Sequence, residues 1–258
     1  MEAVELDELD ALAAALEDPS GCDLGAALER VATMAERHLE GDAPGSIHFM
    51  ERMVELLKRV RGVEHPDPRL KAMFTALVYF YFMGRPLGGS DLGTDTIDLA
   101  RRTGHPMLRK ALTMQGGVFA DSANVPRAIE CYAEALDIAR AQGDVAGEGT
   151  AWMNLGVSLV YSGQAREAMA CFEHILHMSG SREVPENLLA SVWSNIAFCC
   201  LHTGDTGRGL RAIETALRGL GELKTRGRGW FRSGTIEVRV GTPVHLSLIH
   251  ISEPTRPY

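Results

Sequence analysis

Residues 149–176 read GTAWMNLGVSLVYSGQAREAMACFEHIL, and their spacing decides the fold. Trp152, Leu155, Gly156 and Leu159 recur at helical intervals and so share one face of a first helix. Gly163 breaks the pattern. Ala168, Phe172 and Ile175 then mark the inner face of a second helix. Small residues at Gly156 and Ala168 fit a close crossing of two helix backbones, and Trp152, Leu159 and Phe172 supply bulk around it. The stretch therefore predicts a helix–turn–helix unit, in which Trp152→Ala is expected to cost about 3–5 kcal/mol.

Working outward, the unit repeats. Gly116, Phe119, Ala128, Tyr132 and Ala135 precede Gly156, Leu159, Ala168, Phe172 and Ile175 by 40 positions. Trp193, Ile196, Ala197, Gly209, Ile213 and Ala216 follow the same slots by 41. IDLARRTGHP at 97–106 parallels LDIARAQGDV at 136–145, a shift of 39. Extra length is expected in 141–147 and 180–185, as longer second helices or longer loops between units.

The pattern W-x2-L-G, then A-x3-F, resembles the tetratricopeptide (TPR) repeat, with Leu159 and Ile175 standing where that repeat usually has Tyr and Ala. The period near 40 exceeds the usual 34 and is similar to long-period TPRs of bacterial signalling proteins. The resemblance implies an all-α, right-handed α-solenoid of stacked helix pairs whose concave groove binds a peptide or partner domain. It places the first helix of each unit along that groove, and with it Lys110, Thr113, Met153, Asn154, Val157, Tyr161, Ser194, Asn195, Phe198 and His202. Asn154 and Asn195 each stand two residues after a Trp, a slot that faces the groove in TPRs, where paired amides hold an extended backbone. The chaperone-binding clamp needs basic residues at neighbouring slots; Thr150, Met153, Ser191 and Ser194 stand there, so a chaperone-tail binder is not expected. The same resemblance offers an alternative, the regulatory arm of a larger bacterial signalling protein with a diguanylate cyclase or helix-turn-helix output domain.

Toward the N-terminus the signature fades but helical stripes persist. Leu6, Leu9, Leu12 and Leu16 mark an acidic helix over 1–18. Asp23 stands where it would cap a helix from Leu24 to Leu39 with Leu28, Val31, Ala35 and Leu39 on one side. Ser46 opens another, with Ile47, Met50, Val54, Leu57 and Val60 aligned. Residues 1–64 are read as capping helices and 65–105 as a degenerate unit, entered through His65-Pro66-Asp67-Pro68. Its first helix, 69–83, is aromatic (Phe74, Tyr79, Phe80, Tyr81, Phe82) and is expected to be mostly buried. GRPLGGSDLG at 84–93 reads as a loop before a helix from Thr96; it lacks the GK[ST] ending of a phosphate loop. Residues 106–220 hold three repeats.

After Leu220 the apolar pattern stops. Residues 221–245 are glycine-rich and basic, read as irregular or frame-shifted in preference to an RNA-binding tail. LSLIHISEPTR at 246–256 matches the conceptual translation of a sequencing-library adapter, so 246–258 is set aside as an adapter-derived tail.

The remaining numbers exclude more than they assign. A formal net charge of −8 disfavours nonspecific nucleic-acid binding. The longest apolar run, 76–83, falls short of the roughly 20 residues a membrane span needs. Five cysteines without a CxxC pair read as core thiols of a cytoplasmic protein. No protease, hydrolase, Walker or kinase motif occurs, so no catalytic residue or cofactor is expected. His174 and His177 lack a third ligand and read as two exposed histidines, leaving no metal site. The oligomeric state is left open.

Overall fold

The computed structural model describes residues 3–17, 23–40, 46–60, 65–83 and 86–225. Among these every element is an α-helix: α1 (Ala3–Glu17), α2 (Leu24–Glu40), α3 (Ser46–Leu57), α4 (Pro66–Phe82), α5 (Pro86–Thr103), α6 (Leu108–Asp121), α7 (Val125–Gln142), α8 (Val145–Tyr161), α9 (Ala165–Ser179), α10 (Glu186–Thr203) and α11 (Thr206–Thr225). They fall into two compact units, Met1–Gly143 and Asp144–Tyr258.

In the first unit each helix packs on a neighbour near in sequence: α1 on α2, α4 on α5, α5 on α6, and α6 most closely on α7. Helix α2 packs chiefly on α4, while α3 makes lighter contacts with α1, α2 and α4. One core joins α1 to α6, with Leu9, Leu12, Leu28, Val31, Phe49, Met50, Met53, Leu57, Leu70 and Leu77 fully buried or nearly so, and a second, of Ile97, Ala111, Leu112 and Ala135, joins α5, α6 and α7. The expected cap holds: Asp23 Oδ1 accepts a hydrogen bond from the Ala26 amide at 3.0 Å. At the join of α2 and α3, the His38 ring stacks on Phe49 at 4.4 Å, and its Nδ1 lies 2.9 Å from Ser46 Oγ.

The loop expected over 84–93 is, from Pro86 on, the start of α5; residues 84 and 85 lie outside the described residues. Proline suits the first turn of a helix, where its missing N–H is not needed. Gly93 is explained by packing, since a Cβ there would run into the side chain of Gln115 on α6. The aromatic helix α4 is mostly interior, with Tyr79 and Phe80 buried and Phe82 at its exposed end.

In the second unit α8 packs on α9, α9 on α10, and α10 on α11. Phe172 and Ile175 are fully buried, whereas Trp152, Leu159 and Trp193 are only partly so. Trp152 therefore flanks the crossing and does not fill it. Its ring lies against His174 at 4.6 Å, so His174 is a packing partner and not an exposed histidine. His177 is exposed.

The long period has two origins. Helices α7 and α8 have 18 and 17 residues with only Gly143 and Asp144 between them, so extra length there lies in the helices. Between α9 and α10 the loop 180–185 carries it. Within that loop Arg182 Nη1 pairs with Glu148 Oε2 on the first turn of α8, a carboxylate whose side chain is 4% exposed. The turns inside repeats call for positive φ, which glycine adopts freely: Gly163 at 79° and Gly204 at 81°, with Ala123 in the equivalent slot at 57°. Helix α11 runs through Thr225, past Leu220 where the apolar pattern stops, so 221–225 is helical and not irregular. The segments read as frame-shifted and adapter-derived lie, from residue 226 on, outside the described residues.

Candidate functional site

The residues expected on the groove come from α6, α8 and α10, and the structure treats them unequally. On α6 of the first unit, Lys110 is exposed, and Thr113 is partly buried with its hydroxyl donating to the Arg109 carbonyl at 3.0 Å.

The other eight lie on α8 and α10, which run side by side in the second unit. Their seam is narrow: a Cβ on Gly149 would stand 2.5 Å from Leu188 Cδ2. Two expected groove residues are consumed by it. Asn195 is 5% exposed, and its Nδ2 donates to Met153 Sδ at 3.2 Å and to the Ser191 carbonyl at 3.0 Å. Met153 is itself 8% exposed. Asn154 and Asn195 are thus not an equivalent pair of backbone-binding amides. A mid-helix asparagine can bond the carbonyl one turn back, and once bonded so it tolerates burial.

The remainder stay accessible to differing degrees. Asn154, Val157, Ser194 and Phe198 are partly buried. Ser194 donates to the Ala190 carbonyl at 3.2 Å, which occupies its hydroxyl proton. Tyr161 is 59% exposed at the end of α8. On α10 the rings of Phe198 and His202 lie 4.5 Å apart, and His202 is exposed. Sequence reasoning passed over Leu201, which is also 59% exposed beside His202. Its signal was available: Leu201 follows Val160 by 41 positions, an apolar residue carried into the next first helix.

Charge is sparse on these two helices. Glu148 and Glu186, both in first turns, are the Asp, Glu, Lys or Arg residues they carry, and Glu148 is buried against Arg182. The accessible residues Tyr161, Leu201, Phe198 and Asn154 are consequently uncharged, the first three aromatic or apolar and the last an amide. Burial also disfavours the thiolate form of nearby cysteines. Burial pushes Cys171 up to about 11 and Cys199 up to about 12, and Cys200 also upward. Among the described residues no cluster of His, Cys, Asp or Glu is suited to hold a metal, and no helix is long and apolar enough to cross a membrane.

No protein-family model matches the chain, and no curated protein matches it by sequence. Solved structures do. BtubC (BKLC) from P. vanneervenii superposes with a TM-score of 0.63 at 18% identity, over 92% of this chain and 95% of that one. A Podosopora anserina protein described as a kinesin light chain with nearly identical TPR-like repeats gives 0.63 at 14% identity, over 79% of this chain and 99% of that one. A Rap protein in complex with Competence and Sporulation Factor gives 0.58 at 12% identity; 79% of this chain covers 54% of it. Identities this low speak to backbone architecture alone. Together with the sequential helix packing and the repeated Gly–aromatic crossing, they establish that the chain has the fold of the TPR-like α-solenoid repeat proteins.

Proposed function

We propose that the chain is a protein-interaction scaffold that holds a peptide or a segment of a partner protein on the accessible face of α8 and α10. The observation that carries the reading is the makeup of that face: Tyr161, Leu201 and the Phe198–His202 ring pair lie on helices without an exposed charge beyond their first turns. Such a surface favours a neutral, apolar segment, and the partly accessible Asn154 amide is the group suited to fix its backbone. The complex of the similar Rap protein with Competence and Sporulation Factor supports this use of the fold. A net charge of −8 argues against nucleic acid as the ligand, and a cytoplasmic setting suits the buried thiols.

A second reading makes the repeats the regulatory arm of a longer signalling protein. It is favoured by the Rap structure, in which the matching region is about half of the chain. Reading the source gene in frame past Thr225 tests it, since a cyclase or helix-turn-helix domain there selects this alternative.

The binding reading is tested by selecting peptides from a displayed library against the full chain. Tyr161→Ala and Phe198→Ala are expected to weaken the selected peptides about tenfold or more with the thermal melt little changed. Selected peptides indifferent to both substitutions would place the ligand elsewhere.

A further inference from the structure

Helix α11 exposes an apolar stripe that its counterparts cover in whole or in part. Leu210 and Leu217 are seven residues apart, hence on one face, and are 60% and 46% exposed. Met169 and Leu176 on α9 stand 41 positions earlier, and Ile129 and Leu136 on α7 a further 40. Leu136 is 6% exposed. Met169 and Leu176 pack, partly buried, against the core that α9 shares with α10. The same stripe therefore packs on the core in α9 and is open in α11.

The edge of the stripe changes sign along the repeats. The residues one past each stripe position are Glu130 and Asp137 on α7, Ala170 and His177 on α9, and Arg211 and Arg218 on α11. Both arginines are exposed, with Glu214 exposed between them.

We propose that α11 docks an amphipathic helix of a partner protein, which lays an apolar stripe over Leu210 and Leu217 and presents carboxylates to Arg211 and Arg218. The mode continues the helix-on-helix packing of α10 upon α9, and the charge follows from the arginine edge. An antiparallel pair of α11 helices from two copies of this chain would set the basic edge against itself, which argues for a different protein as the occupant. The face is separate from the one proposed for peptide binding, so the two readings fail independently.

The test uses the full chain and two fluorescent synthetic helices of about 18 residues, long enough to span both stripe positions. They share one leucine stripe and differ only in carrying glutamates or lysines along one edge. The glutamate helix is expected to bind about tenfold or more tightly than the lysine helix, and to weaken as salt rises. Leu217→Asp should abolish binding, and the R211E/R218E double variant should reverse the preference. Both changes are at exposed positions, and circular dichroism confirms that the variants fold. Tyr161→Ala should leave binding intact. Equal binding of the two helices, binding of neither, or an unreversed preference would overturn the proposal. So would sedimentation showing a dimer of the chain that Leu217→Asp dissolves.

Discussion

A Cβ placed on Gly156 would lie 2.6 Å from Cε1 of Phe172, so the two helices of the best-marked repeat meet where a methyl group has no room. The preceding repeat does the same, with Gly116 against Tyr132 at 2.5 Å. Phe172 is fully buried and its ring has little freedom to retreat. Gly156→Ala is thus expected to destabilise by about 1–3 kcal/mol despite the better helix propensity of alanine. Urea denaturation measures it. Phe172→Leu in the same chain should recover part of the loss, because the shorter side chain opens the crossing; strictly additive losses would show that the two residues do not compete for space.

The same burial ranks two aromatic truncations. Phe172 is fully enclosed, so Phe172→Ala should cost about 3–5 kcal/mol through lost transfer energy and a cavity. Trp152 lies at the rim against His174, and Trp152→Ala should cost less, about 2–3 kcal/mol. Unfolding midpoints in the opposite order would return Trp152 to the centre of the repeat.

Arg182 closes the loop between α9 and α10 onto a buried carboxylate, and removing it takes a cation away from that charge. Arg182→Ala should destabilise by about 2–4 kcal/mol, whereas Glu148→Gln with Arg182→Ala should cost less than the single arginine change. A double-mutant cycle in denaturant reads the coupling. A coupling near zero would mean that solvent replaces the arginine without cost, leaving the six-residue loop held by its other contacts.

The crossing at Gly156 was legible because its residues are local: a glycine and an aromatic sixteen positions apart, repeated at a fixed shift. The stripes of α2 and α3 were legible for the same reason, through Leu28, Val31, Met50 and Leu57, all of which are buried. Their partners were not. That α2 packs on α4 depends on contacts far apart in sequence, in a region without the repeat signature to supply the register. The α5 start was missed because four glycines in ten residues weigh as a loop, and only the neighbour Gln115 reveals what Gly93 is for. The proposed binding face was half legible. Slot counting names Tyr161 and Phe198, which the structure leaves accessible, but it gives Asn154 and Asn195 the same role. What separates them is the seam between α8 and α10, where Met153 sulfur and the Ser191 carbonyl take up the Asn195 amide.

The core thiols make stability fall at alkaline pH. Burial raises Cys171 to about 11 and Cys199 to about 12, against an ordinary value of 9.0. Between those limits the unfolded chain has released both protons and the folded chain retains them, so the unfolded state binds fewer protons and unfolding becomes more favourable as pH rises. The contribution is whole below pH 9 and is lost at about 1.4 kcal/mol per pH unit for each thiol above it, until the folded value is reached. Denaturation at successive pH values should show wild type declining more steeply than Cys199→Ala above pH 9, with parallel curves below it. The same protonation should protect both thiols from iodoacetamide in the native state at pH 8 and expose them on unfolding, since only the thiolate reacts. Rapid alkylation of Cys199 in folded protein would show that the α9–α10 core opens locally on the timescale of the reagent.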